Sequence, residues 1–257
     1  MARVSIRSLD EALVAEPPPG TAGVETRVYF ARARDPIHLR LHRLAPGARL
    51  QLSAGYTDLS VYIWKGTVEA GATRLEARSS AIVEGGAALT VVAGKEGASL
   101  LAFHLGEGEG DGRSAGRVHL LPHERVPRTA AMGGNEGIGG ALHADAHLPT
   151  PQVWLHENDY AMADKETAVH SHSEDEVIFV RAGSVRLGNR LYGPGTALAI
   201  AANTKYGFFS GPDGLSFVNF RGSSPTYTSA DGALVMDEAE LWRKAVGLPS
   251  YIELTAD

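Results

Sequence analysis

Apolar and polar residues alternate along much of this chain with a period of two. The first half carries IHLRLHRL (37–44), LSVYIWKG (59–66) and SLLAFHL (99–105). The second carries QVWLHEN (152–158), TAVHSH (167–172), EVIFVRAG (176–183), SVRLG (184–188), TALAIAA (196–202), KYGFFSG (205–211) and LSFVNFR (215–221). Successive side chains of a strand point to opposite faces, so each run predicts a strand with one face in a core. Gly and Pro punctuate the runs, as in APGA (45–48) and EGG (84–86), and predict turns. Only two segments read as helix. Near the N-terminus Ser8 and Glu11 have the spacing of a capping box, and Pro17 to Pro19 would end the helix. Near the C-terminus MDEAELWRKAVGL (236–248) is amphipathic, with Asp237 as N-cap and Gly247 as stop.

The strands fall into two blocks, from about Glu25 to Leu105 and from about Gln152 to Phe220. The blocks resemble one another. LSVYIWKGTV matches EVIFVRAGSV in apolar character and in the place of its glycine, which predicts a duplicated β-barrel with a period of about 120 residues. Between them GEGEGDGRSAGR (106–117) reads as a loop or linker. The expected domains are therefore 1–117 and 118–257.

Composition narrows this picture. The 257 residues, 44% hydrophobic and 21% charged, are those of an ordinary globular protein with room for one or two cores. A net charge of -6 with no basic block argues against nucleic acid and anionic membrane as partners. No apolar run reaches the roughly 18 residues that would span a bilayer. No secretory leader is recognisable, so the expected setting is the cytoplasm. The absence of cysteine excludes disulfides, thiolate metal sites and a cysteine nucleophile.

His170, His172 and Glu176 concentrate the candidate chemistry. Their spacing gives them one parity, so on strands with a common inward face two imidazoles and a carboxylate converge. That set is favoured by non-haem Fe(II) and accepted by Mn, Ni, Co, Cu or Zn. Ile178 and Val180 share the parity and would wall the site. His156 could face the same cavity, though a core or surface role is the simpler reading. His143 and His147, in a connector, read as solvated. Arg186 and Arg221 could bind a carboxylate substrate, but exposed barrel arginine is the default reading.

The run HSHSEDEVIFVRAG resembles the first motif of the cupin superfamily, HxHx(3–4)Ex6G, through His170, His172, Glu176 and Gly183. The second motif, Gx5PxGx2Hx3N, is similar to GTALAIAANTKYGFFS (195–210). Gly195 matches, while Ala201, Asn203, Tyr206 and Ser210 replace its Pro, Gly, His and Asn. The opening glycine of the first motif is replaced by Asp164. The resemblance implies an all-β, two-barrel fold of the double-stranded β-helix or jelly-roll type, with short terminal helices. It implies a divalent metal (Fe, Mn, Ni or Zn) on His170, His172 and Glu176, with Tyr206 in the fourth position. Tyr206 would ligate as phenolate, line the pocket, or serve as a catalytic hydrogen-bonding or acid/base group. In the first block the equivalent positions are Ser53, Gly55 and Leu59, so no ligand survives there. His38, His42 and His104 fall at no motif position. That barrel is expected to be structural, supporting packing or homodimer contacts or making a lid for the second.

Two functions follow from the resemblance. One is a metal-dependent enzyme of dioxygenase, isomerase or lyase type acting on a small polar metabolite. The other is a non-catalytic cupin that binds or senses a small ligand. A storage-type structural role is disfavoured by the inward-facing charge of the triad.

Overall fold

The computed structural model describes residues 4–31, 35–55, 57–105, 116–146 and 153–254. The predicted strands form, and among the described residues every pairing is antiparallel, within one of two sheets. Two compact units result. Among the described residues one unit is built from 12–126 and 249–254, the other from 4–11, 127–146 and 153–248.

In the first unit the sheet runs through Leu13–Ala15, Val24–Phe30, Ile37–Leu44, Ala88–Leu105, Leu59–Ala70, Ser80–Val83, Val118–Leu121 and Ile252–Leu254. Its inward residues, among them Leu50, Val61, Ile63, Val91 and Leu100, make one apolar core. In the second unit the order is Val4–Arg7, Ala197–Ile200, Glu176–Leu187, Tyr206–Arg221, Trp154–Tyr160, Asn135–Ala144 and Arg128–Met132. Its core contains Ile178, Val180, Leu198, Ile200, Phe208 and Phe217, so the wall expected of Ile178 and Val180 is present.

The internal repeat is visible in the backbone. The Leu59–Ala70 strand slips register against Ala88–Leu105 between Ile63 and Lys65 and again between Gly66 and Val68. Glu176–Leu187 does the same against Tyr206–Arg221, between Val180 and Ala182 and between Gly183 and Val185. Both motif glycines are required there. Gly66 (φ 74) and Gly183 (φ 63) lie where a Cβ would fall 2.1 Å from the Gly97 carbonyl oxygen and 2.3 Å from that of Gly214.

Two expectations are corrected. The N-terminal segment is not helical. The Ser8–Glu11 hydrogen bonds form, with the Ser8 amide 2.8 Å from Glu11 Oε2, but they close a turn between two strands. Val4 and Ile6 alternate with polar residues, and pairing them along Ala197–Ile200 beside the second core outweighs one helical turn. The boundary after 117 moves to Val126, because Val118–Leu121 pairs with Ser80–Val83 inside the first unit. Most of the predicted linker, 106–115, lies outside the described residues. The C-terminal helix is present as Glu238–Val246, capped by Asp237 and ended at Gly247. Among the described residues no helix is long and apolar enough to cross a membrane.

Candidate functional site

The second unit encloses a cavity of about 420 Å³ lined by His156, His170, His172, Tyr206, Asn219, Arg221 and Glu238, among others. Three strands and the helix supply them. His170 and His172 end the Glu166–His172 strand, and Glu176 begins the next after a short bend. Glu176 is paired across the sheet with Arg221, and Ile178 with Asn219. His170 stands opposite Tyr206 in the register. The helix delivers Glu238 from its first turn and Trp242 one turn later.

The four residues singled out by the motifs are therefore together. The imidazoles of His170 and His172 cross edge-to-face at 4.8 Å between centroids, and Tyr206 lies 4.6 Å from His170. His170 Nδ1 is 2.7 Å from the Ala168 carbonyl oxygen, so it donates there and leaves Nε2 as the acceptor. His172 Nδ1 lies 2.5 Å from Glu238 Oε1.

The carboxylate of Glu176 is already engaged. Its Oε2 accepts from Asn219 Nδ2 at 2.7 Å and from Arg221 Nη2 at 2.9 Å, and the Tyr206 hydroxyl donates to the same group. Arg221 also reaches Glu238 Oε2 from Nη1 at 3.1 Å. Burial raises the Glu176 pKa, but Arg221, then His172 and the hydrogen bonds, outweigh it and leave it lowered. Burial and the adjoining Glu176 charge push the Tyr206 hydroxyl well above 10. Tyr206 thus stands as a neutral phenol and a donor to Glu176. Burial, and next Arg221, lowers the His156 pKa well below 6.5; burial likewise lowers that of His170.

These residues do not fit a three-ligand metal centre as they stand. Among the described residues no group of three or more His, Asp or Glu side chains is placed to hold a metal ion. The Arg221 guanidinium on Glu176 Oε2 is a fixed positive charge beside the carboxylate that a divalent cation would need.

Three residues play parts that parity alone did not assign. Arg221, read as exposed, is 1% exposed and bridges two carboxylates. Glu238 is buried although it follows an N-cap, a position that usually faces solvent. His156 lines the cavity 4.4 Å from the Trp242 ring, and neither of its ring nitrogens makes a well-formed hydrogen bond, Asn158 being the side chain that approaches it. His143 is also corrected. It lies fully buried in the Asn135–Ala144 strand, 3.1 Å from Glu157, because the connector is itself a strand. His147 lies outside the described residues. Arg186 keeps the surface role expected, paired with Asp164 at 3.1 Å.

Neither protein-family models nor curated protein sequences match this chain. Solved structures do. The oxalate decarboxylase of Lactobacillus farciminis superposes with a TM-score of 0.67 at 11% identity, over 88% of each chain. A candidate dioxygenase from Nostoc punctiforme gives 0.66 at 13% identity, over 92% of this chain and 87% of that one. Protein YlbA from E. coli gives 0.63 at 12% identity, over 85% and 90%. The chain has the bicupin fold. Within that fold the cupin glycine positions keep their backbone even where the residue has changed. Asp164 (φ 52) and Asn203 (φ 58) both hold the left-handed conformation that glycine would supply.

Proposed function

We propose that the second cupin barrel binds a small uncharged polar molecule bearing hydroxyl or amide groups, without a metal. His156 carries this reading. A neutral imidazole offers one donor and one acceptor, and a buried polar group left without partners costs about 1 to 3 kcal/mol. Neither ring nitrogen of His156 makes a well-formed hydrogen bond, although Asn158 approaches one of them, and the Oδ1 of Asn219 beside the cavity is unpartnered. His170 adds an acceptor at Nε2. Glu176, Arg221 and Glu238 together carry a charge of -1, with His172 Nδ1 against Glu238 Oε1, so the lining disfavours an anionic ligand. Tyr206, Phe208, Phe217 and Trp242 supply aromatic walls for its carbon skeleton.

A second reading is a divalent metal on His170, His172 and Glu176, in an enzyme of the dioxygenase, isomerase or lyase type. One observation favours it: the Nδ1 atoms of both imidazoles lie against oxygens, the arrangement that backs metal-ligating histidines. It requires Glu176 to ligate through Oε1, because Oε2 is taken by Arg221 and Asn219.

One pair of measurements separates them. Elemental analysis after exposure to Fe, Mn, Ni and Zn is expected to find no stoichiometric metal in the wild type. Thermal shifts with small polyols and amides are expected to reveal binding that His156→Phe removes while keeping ring volume and stability. Stoichiometric metal in the wild type that vanishes in His172→Ala would establish the second reading instead.

A further inference from the structure

The first barrel, with no ligand at any motif position, has a polar cavity of its own. Its volume is about 1050 Å³, and Thr26, His38, Arg40, His42 and His104 line one part of it. His38, Arg40 and His42 alternate along Ile37–Leu44 on the same face as Leu44, a member of the apolar core. His104 shares a face of its strand with Leu100 and Ala102 of that core. His38 pairs with His104, and Leu59 pairs with His104 on the other side. Trp154 and Glu176 flank Arg221 in the same register. The cluster therefore occupies, in the first barrel, the place that Trp154, His156, Asn158 and Arg221 occupy in the second.

Its hydrogen bonds define what it can hold. His104 Nδ1 lies 2.9 Å from the Leu105 carbonyl oxygen, so it donates there. Its Nε2 then accepts from Arg40 Nη1 at 3.3 Å. With both nitrogens used, His104 has no lone pair for a metal. His42 Nδ1 is 2.9 Å from Thr26 Oγ1, and burial, then the nearby Arg40 charge, lowers its pKa to about 4. It is neutral at pH 7. Among the described residues of the lining Arg40, half-buried, is the one Lys or Arg, and Glu16, the one carboxylate, is exposed. A guanidinium presents five donors in a planar fork, of which His104 takes one. Val28, Leu52, Leu59 and Ala102 flank the same space and offer apolar contact.

We propose that this cavity is a second ligand site, which takes a small carboxylic acid with its carboxylate on the Arg40 fork and its carbon chain against Leu52 and Leu59. A carboxylate matches the fork in shape and charge. The site is independent of the binding proposed for the second barrel.

Titration of the full chain with butyrate and with succinate, followed by calorimetry and by the histidine-ring NMR signals, tests this. Saturable binding of at least one acid is expected, moving the His42 and His104 rings and leaving those of His156 and His170 in place. Butyramide, which lacks the charge, should not bind. Arg40→Gln should weaken binding about tenfold or more, and Arg40→Lys should restore part of it. The proposal falls if neither acid moves those rings, if Arg40→Gln binds as well as the wild type, or if inorganic phosphate binds more tightly than both acids. Should Arg40→Gln fail to fold, the wild-type ring shifts decide alone.

Discussion

Two carboxylates share one guanidinium inside the second barrel, and the arrangement sets how the protein meets acid. Burial raises the Glu238 pKa, but Arg221 and then His172 outweigh it and hold it at about 2, against 4.5 for a free glutamate. A carboxyl whose folded pKa is depressed stabilises the fold above its unfolded pKa and loses that contribution as pH falls. The loss from Glu238 therefore runs from about pH 4.5 down to 2. His42 in the first barrel loses its contribution earlier, from pH 6.5 to about 4, because protonation favours the unfolded chain. Denaturation measured against pH should show both limbs, with His42→Gln reducing the upper, which His156 and His170 share, and Glu238→Gln reducing the lower, which Glu176 shares. At this scale the sequence was legible where parity sufficed. His170, His172, Glu176 and Tyr206 meet as their spacing predicts, and Asp164 and Asn203 mark glycine positions of the motifs. Arg221, His156 and the His38–Arg40–His42 row were less legible. Spacing tells which face a residue occupies, but not which distant charge awaits it there.

Among the elements, the long strands were the most readable, because alternation and a bounding glycine act locally. Their joints were less so. The runs 205–211 and 215–221 read as two strands and are one, Tyr206–Arg221, with Gly214 (φ 78) inside it. Glycines of similar conformation should differ sharply in cost. Gly183→Ala forces a Cβ against the Gly214 carbonyl oxygen as well as a left-handed backbone, whereas Gly188 (φ 57) has open space around it. Urea denaturation should show Gly183→Ala losing more than about 2 kcal/mol and Gly188→Ala only about 1 kcal/mol. Similar losses in both would mean that close approach of the strands is not what Gly183 serves. The N-terminal segment shows the limit of local signals. Its capping hydrogen bonds form as expected, yet an unpaired edge at Ala197–Ile200 claims the segment as a strand.

For the whole molecule, the duplicated fold was legible and its boundaries were not. Each barrel borrows a strand from the far end of the chain: Val4–Arg7 completes the second sheet, and Ile252–Leu254 the first. Deleting residues 1–7 removes Val4 and Ile6 from the second core. It should lower the unfolding temperature of the second barrel, read from Trp154 and Trp242 fluorescence, and spare the first, read from Trp64. Loss confined to the first barrel would overturn that assignment. The exchange of strands also bears on how the protein is made. On the ribosome the first barrel is synthesised early but keeps an open sheet edge along Val118–Leu121 until residues 252–254 emerge, and an open edge is a template for wrong pairing. Cutting the gene between the repeats would leave both halves with such an edge. A rearranged gene that places 1–11 in front of 127 and 249–257 behind 126 would give each half back its own strand.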